Sequence, residues 1–129
     1  MFELRSREPV VLAENFDALV TWYQEALEFS VQSQHTEGFH YATMENSAGV
    51  RLGIASAREM GVEPHDRTHA SVVLQFEVDD VPAFLEHVGA SGGTIASGPL
   101  RNERDGFWFG SFADPEGNSC WVVDRNCPQ

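Results

Sequence analysis

Two stretches of the chain place apolar residues at the spacing of an amphipathic helix, one after Asn15 and one after Asp80. The apolar positions are Phe16, Leu19, Val20 and Tyr23 in the first stretch and Val81, Phe84, Leu85 and Val88 in the second. Both sets follow the i, i+3, i+4, i+7 pattern behind a residue suited to cap a helix. We therefore predict two helices whose starts are 65 residues apart, the second ended by Gly92 and Gly93.

Runs of residues typical of β-strands surround each predicted helix. One run precedes each helix, at 8–13 and 72–78, and three follow it, at about 29–33, 39–44 and 50–55 and then at about 94–96, 107–112 and 119–123. The turn ending at Gly49 matches the turn ending at Gly117, 68 residues later. The pattern predicts one α+β domain over residues 1–129, made of two tandem β-α-β-β-β modules at about 1–56 and 69–125 with a linker at about 57–68.

The charge of the chain excludes some classes of function and of binding partner. The 129 residues include 20 acidic and 8 basic residues, for a net charge of −12, and every basic residue is arginine. The missing lysine excludes Schiff-base chemistry, and the negative field disfavours nucleic acid and anionic membranes but favours neutral or cationic ligands. No segment approaches the roughly 18 apolar residues of a membrane span. We expect a soluble cytoplasmic protein in which Cys120 and Cys127 are reduced thiols.

The doubled module carries three recognisable segments: NFDALVTWYQEALEF, FEVDDVPAFLEHV, and the turn F-x-DPEGN that leads into the last strand. Together they resemble the glyoxalase, bleomycin-resistance and extradiol-dioxygenase superfamily, also called vicinal oxygen chelate proteins, over nearly the whole chain. The resemblance implies that each module curls its sheet into half of a cleft, with the helix on the outer face. It also implies a homodimer.

Alternation along the strands predicts which side chains face this cleft, because successive residues of a strand point to opposite faces. Toward the helices we expect Val11, Ala13, Val50, Leu52, Ile54, Val72, Leu74, Phe76, Val78, Cys120 and Val122. Toward the cleft we expect Glu8, Val10, Leu12, Arg51, Gly53, Ala55, Ser71, Val73, Gln75, Glu77, Ser119, Trp121 and Val123.

The resemblance also implies where a metal ion would bind. Metal-using members of the superfamily hold one divalent ion through His, Gln or Glu side chains near the starts of the two first strands and in the two last strands. In this sequence those positions fall on Glu8, Gly53, Val73 and Trp121. Only Glu8 could donate a ligand, whereas a catalytic metal needs about three protein ligands. We therefore expect no metal and no cofactor, unless a shifted strand register brings in Gln75 or His69.

Aromatic residues dominate the predicted cleft. The candidate ligand-binding residues are Trp121, Arg51, Gln75, Phe107, Phe109, Tyr41 and Val73. An indole in a cleft can stack on a flat aromatic or cationic ligand, although the same rings could simply fill the space of a lost metal site.

Glu8 is a candidate catalytic acid or base, with a pKa raised by an apolar groove and with Arg51 to hold an anionic group. An ordinary ion pair of Glu8 with Arg51 or Arg7 is the alternative.

The histidines give weaker signals. His65 and His69 have the spacing of a metal site on a helix, but Pro64 and Thr68 disfavour that helix, so a solvated linker is the preferred interpretation. The face that His40 takes is left open by the pattern, and we expect it to be a core or rim histidine.

Three hypotheses follow from these observations. The first is a metal-free small-molecule-binding protein that sequesters a flat aromatic, neutral or cationic ligand in an aromatic-walled cleft. The second is a metal-dependent glyoxalase-like lyase, isomerase or dioxygenase, which would require tight binding of a divalent metal. The third is an accessory dimer with no ligand and a filled cleft. The negative charge and the missing metal ligands favour the first.

Overall fold

The computed structural model describes residues 2–63 and 72–128, which we call unit 1 and unit 2. The elements of unit 1 are β1 (Val10–Ala13), α1 (Phe16–Ala26), β2 (Ser30–His35), β3 (Tyr41–Glu45) and β4 (Arg51–Ser56). Those of unit 2 are β5 (Leu74–Glu77), α2 (Val81–Ala90), β6 (Thr94–Asn102), β7 (Phe107–Ala113) and β8 (Ser119–Val123). Both units have the order β-α-β-β-β, which confirms the predicted α+β fold of two tandem modules.

Each unit forms one four-stranded mixed sheet, in the order β1-β4-β3-β2 in unit 1 and β5-β8-β7-β6 in unit 2. The first and last strands of a unit pair in parallel, and the other pairs are antiparallel. In the parallel pairs Val10 lies opposite Gly53, and Gln75 lies opposite Trp121. The same pairing therefore recurs at offsets of 65 and 68 residues, as the repeat predicts.

Each helix begins at the predicted capping residue. Asn15 Oδ1 accepts a hydrogen bond from the Ala18 N–H at 3.2 Å, and Asp80 Oδ1 accepts one from the Ala83 N–H at 3.0 Å. Each helix packs on one face of its own sheet, and the other face is called the helix-free face. The buried side chains between helix and sheet include Leu19, Val20, Tyr23, Met44, Leu52 and Ile54 in unit 1 and Val81, Leu85, Val88, Phe112, Cys120 and Val122 in unit 2.

The turn before the last strand is built in the same way in both units. Asn46 Oδ1 accepts hydrogen bonds from the N–H groups of Ala48 and Val50. At the equivalent place in unit 2, Asp114 Oδ1 accepts from the N–H groups of Glu116 and Asn118. The Asp114 residue is only 1% exposed, and its second oxygen accepts a 2.7 Å bond from Asn118 Nδ2. The acidic turn is thus a structural element of unit 2.

Several strand boundaries differ from the prediction. β1 and β5 are shorter than predicted, and Val72, expected to face the helix, is 81% exposed because it precedes β5. Val50 likewise lies before β4 and is 37% exposed. β6 extends to Asn102 instead of ending near 96, because it pairs with β7 along most of its length. Neither helix in the described ranges is long and apolar enough to cross a membrane.

Candidate functional site

Tyr41 and Glu8 meet on the helix-free face of unit 1. The Tyr41 hydroxyl donates a 2.9 Å hydrogen bond to Glu8 Oε1. The phenol ring crosses Gly53, where an added Cβ would lie 2.6 Å from Tyr41 Cζ, closer than side-chain carbons tolerate. The absence of a side chain at Gly53 is therefore what allows Tyr41 to reach the carboxylate.

The Glu8 carboxylate is held in its ionised form. Its side chain is only 5% exposed, yet its pKa is lowered, first by a hydrogen bond from its own backbone N–H and then by the Tyr41 hydroxyl. The two hydrogen bonds outweigh the opposing effect of burial, and the charges of Arg7 and Arg51 add smaller effects in the same direction as the hydrogen bonds. The raised pKa expected from an apolar groove is wrong for this reason. An ionised Glu8 suits a base or an anchoring charge better than it suits an acid.

Two arginines lie beside Glu8. Arg7 Nε is 4.0 Å from Glu8 Oε2, and Arg51 Nη1 is 3.6 Å from Glu45 Oε1, its partner across the strands. A cavity of about 350 Å³ opens here, lined by Ser6, Arg7, Glu8, Pro9, Gly49 and Arg51. Unit 1 therefore brings together three of the predicted site residues, Glu8, Tyr41 and Arg51.

The helix-free face of unit 2 carries Trp121. Its neighbours in β8, Cys120 and Val122, are fully buried on the helix side, whereas Trp121 is 52% exposed. Gln75 and Ser111 lie opposite Trp121 on the two adjacent strands, so their side chains share its face. The indole therefore stands half-exposed in a row with an exposed glutamine and a partly exposed serine.

The remaining predicted ligand-binding residues also belong to unit 2. Phe107 and Phe109 alternate with Trp108 along β7, and their ring centroids are 5.7 Å apart. Phe109 lies opposite Val123, one row from Trp121 on the same face. Val73 is partly buried and precedes β5, two residues before Gln75. Phe112, which we expected to pack in the core, is 1% exposed and contacts Phe84 edge-on at 5.5 Å.

The repeat allows the two helix-free faces to be compared position by position. Tyr41 lies opposite Ala55 as Phe109 lies opposite Val123, so position 41 corresponds to position 109. Position 53 corresponds to position 121 in the same way. In unit 1 the ring of Tyr41 lies over Gly53, whereas in unit 2 the position equivalent to Gly53 is the exposed indole of Trp121.

The side chains at these positions do not fit a catalytic metal ion. Of the four positions that the resemblance assigns to metal ligands, Gly53 has no side chain and its space is taken by the Tyr41 hydroxyl. A strand register shifted by two residues would place Val10 and Gln75 at the ligand positions of the two first strands, in place of Glu8 and Val73. The site would then gain the amide of Gln75 and lose the carboxylate of Glu8, and it would still have fewer than three ligands. Within residues 2–63 and 72–128, no group of three or more His, Cys, Asp or Glu side chains could hold a metal ion. His65, His69 and Ser71 lie outside the described residues.

A second polar cluster, which the sequence patterns did not indicate, lies on the helix side of unit 1. Glu59 accepts two hydrogen bonds from His40, at 2.7 Å from the backbone N–H and at 2.6 Å from ring Nδ1. The His40 ring contacts Phe16 edge-on at 5.4 Å. His40 is therefore a rim histidine on the helix side. Glu59 follows the last strand in a turn without periodic spacing, so no sequence signal pointed to this pair.

The family of the chain follows from a direct comparison. Residues 9–123 match the model of the glyoxalase-like domain family, and the chain belongs to that family. This result confirms the superfamily that the repeat and the DPEGN turn indicate. No curated protein matches the sequence.

Solved structures share the fold at low sequence identity. A glyoxalase/bleomycin resistance protein/dioxygenase family enzyme from Burkholderia phytofirmans PsJN is 16% identical with a TM-score of 0.70, over 89% of this chain and 94% of its own. A glyoxalase-related enzyme from Fulvimarina pelagi is 19% identical with a TM-score of 0.69, over 94% and 89%. The fosfomycin resistance protein FosX from Listeria monocytogenes is 13% identical with a TM-score of 0.74, over 96% and 94%. At these identities the likeness concerns the fold alone.

Proposed function

We propose that this protein is a small-molecule-binding protein of the glyoxalase/bleomycin-resistance type that holds a flat aromatic ligand, neutral or cationic, without a catalytic metal. The observation that carries the proposal is Trp121, a 52% exposed indole between two fully buried residues of one strand. An aromatic ring exposed to this degree on a sheet face offers a flat apolar surface for stacking. Gln75, exposed in the same row, supplies a hydrogen-bonding group at its edge.

The charge of the protein supports the choice of ligand. With a net charge of −12, the protein attracts cations and repels anions over distances longer than one contact. A cation placed over the indole face is also stabilised by the ring quadrupole. A flat aromatic cation would combine both effects.

The metal-free state is supported by the donor set. The position equivalent to Trp121 in unit 1 is Gly53, whose space is taken by Tyr41, so neither last strand offers a ligand at this position. The ionised, hydrogen-bonded Glu8 is left as an anchoring charge for Arg7 and Arg51 or for a bound molecule. A cytoplasmic homodimer is part of the same proposal, and both cysteines are free thiols.

A fluorescence titration tests the proposal. Acridine orange serves as the flat aromatic cation and 2-naphthalenesulfonate as the flat aromatic anion, with dye anisotropy and tryptophan quenching as the two readouts. We expect saturable binding of the cation and at least tenfold weaker binding of the anion.

Two variants locate the site. Trp121→Ala should weaken cation binding about tenfold or more while changing the free energy of unfolding by no more than about 0.5 kcal/mol. Trp108→Phe, on the neighbouring strand, is the matched control and should bind as the wild type does. A folded Trp121→Ala protein with unchanged affinity, or equal binding of the two dyes, would remove this site from consideration.

A further inference from the structure

The row of side chains that contains Trp121 runs across all four strands of unit 2. Gln75 lies opposite Trp121 on one side, and Ser111 lies opposite it on the other. Ser97 in turn lies opposite Ser111. Residues paired in this way point to the same face of a sheet, so the whole row belongs to the helix-free face. The indole therefore has an amide on one side and two hydroxyl groups on the other.

The equivalent row of unit 1 shows which of these features the two units share. That row consists of Val10, Gly53, Thr43 and Ser33. Both rows carry hydroxyl groups on the last two strands, and in both units the strand pairing shifts its register directly before the last residue of the row. The hydroxyl groups thus recur with the backbone pattern, whereas the amide and the indole stand where unit 1 has a valine and a glycine.

The polar groups that distinguish unit 2 are available to a bound molecule. The two serine hydroxyls bond to each other, with their oxygens 2.6 Å apart. Gln75 is exposed and Trp121 is 52% exposed. Within residues 2–63 and 72–128, neither of these two side chains forms a hydrogen bond. The amide is therefore the polar group of the row that has both its donor and its acceptor open to a ligand.

The next row of the same face is mainly apolar. Phe109 lies opposite Val123 on one side and opposite Leu100 on the other. Leu100 is 48% exposed. A molecule stacked on the indole would therefore meet apolar side chains along the strand direction and the Gln75 amide across it. Because adjacent strands lie about 4.8 Å apart, the amide can reach the edge of a ring stacked on Trp121.

We propose that Gln75 determines the ligand specificity of the Trp121 site, and that the ligand is a flat heteroaromatic molecule with an N–H donor beside an acceptor on one edge, as in a cyclic amide. This inference rests on the proposed function, because stacking on Trp121 is what positions the ring. The Gln75 carbonyl would accept from the ligand N–H, and the Gln75 amide N–H would donate to the ligand carbonyl. Glutamine pairs in this bidentate way with the donor and acceptor edge of heterocycles in general.

The test is an NMR titration of the whole protein with 2-quinolone, followed through the Trp121 indole N–H and the Gln75 side-chain amide. The control compound is 1-methyl-2-quinolone, because it has the same ring and the same charge but no N–H donor. We expect saturable shifts of both groups with 2-quinolone, at a dissociation constant of roughly 0.1–1 mM. The methylated compound should bind about tenfold more weakly, since it leaves the Gln75 carbonyl without a donor.

Variants locate the preference. Gln75→Met keeps the length of the side chain and removes the amide, so it should weaken 2-quinolone binding about tenfold and abolish the preference over the methylated compound. Glu77→Gln, two residues further along the same strand and face, is the matched control and should keep the preference of the wild type. If Gln75→Met is not folded, Gln75→Glu replaces it, because it removes the N–H donor at the same length.

Acridine orange, which has no donor beside an acceptor, separates this inference from the proposed function. Its binding should fall in Trp121→Ala and should be unchanged in Gln75→Met. With that pattern, absent 2-quinolone binding, equal affinities of the two quinolones, or a full preference in the folded Gln75 variant would overturn this inference alone. If acridine orange does not bind, or if Trp121→Ala binds it as the wild type does, the proposed function fails and this inference fails with it.

Discussion

The Tyr41 ring lies over Gly53 so closely that a single added carbon on the glycine would collide with the phenol. The ring thereby reaches Glu8, and its hydroxyl provides one of the two hydrogen bonds that keep this nearly buried carboxylate ionised. The absence of a side chain at Gly53 thus allows an aromatic ring to reach a carboxylate and lower its pKa, and it leaves this position without a metal-ligand side chain.

The fit between Gly53 and Tyr41 predicts a stability change. Gly53→Ala should destabilise the protein by about 1–3 kcal/mol, because the added methyl group forces the ring or the strand to move. The cost should be smaller in a Tyr41→Ala background and should persist in a Tyr41→Phe background, which keeps the ring carbon. Urea unfolding of the variants measures the coupling. An equal cost of Gly53→Ala in all three backgrounds would show that the ring does not fill this space.

The Tyr41–Glu8 hydrogen bond predicts a pH dependence. Because the Glu8 pKa is lower in the folded protein than in the unfolded chain, Glu8 stabilises the fold above about pH 5, and this contribution is lost as the pH falls through its folded pKa. Tyr41→Phe should raise the Glu8 pKa toward its ordinary value and cost about 1 kcal/mol of stability near neutral pH. An NMR titration of the Glu8 carboxyl carbon gives the pKa directly. Thr43→Val, on the same face, is the control, and an unshifted Glu8 pKa in Tyr41→Phe would contradict the assignment.

The side chains at the four positions that the resemblance assigns to metal ligands predict that the protein retains no metal ion. Tag-free protein purified without chelator should retain far less than one ion per chain after separate additions of Mn, Fe, Co, Ni and Zn followed by desalting. Elemental analysis of each sample gives the ratio. Retention of about one ion per chain would instead favour a metal-dependent enzyme and would direct attention to Glu8, Gln75 and the histidines at 65 and 69.

The buried turn carboxylate predicts an unequal response of the two units. Asp114→Ala should destabilise the protein by about 1–3 kcal/mol, because it leaves two backbone N–H groups and the Asn118 amide without their acceptor. Asn46→Ala removes two bonds from a more exposed turn and should cost less. Thermal and urea unfolding of the two variants compare the costs. A larger loss for Asn46→Ala would show that burial of Asp114 is not what makes its turn important.

The sequence predicts the elements of this fold well because helix spacing, caps and turns are local. Asn15, Asp80 and the two turns before the last strands all lie where the pattern placed them. The contacts within the candidate site are not local. Tyr41 reaches Glu8 only through the pairing of β1 with β4 and of β4 with β3, and alternation could assign a face to each residue but not a partner. Strand alternation likewise predicts the burial of Glu8, which raises its pKa, but not the two hydrogen bonds that lower it. For this reason the predicted direction of the Glu8 pKa shift was wrong.

The two units have the same pattern of backbone hydrogen bonds, so each residue in one half of the chain can be matched with a residue in the other half. Backbone pairing, helix caps and turn bonds recur between the units, whereas the side chains at 53 and 121 and at 41 and 109 differ in size or polarity. A residue and its counterpart in the other half can therefore be compared on an equivalent backbone. An exchange at position 53 must also change position 41, because the Tyr41 ring takes the space of any side chain at Gly53.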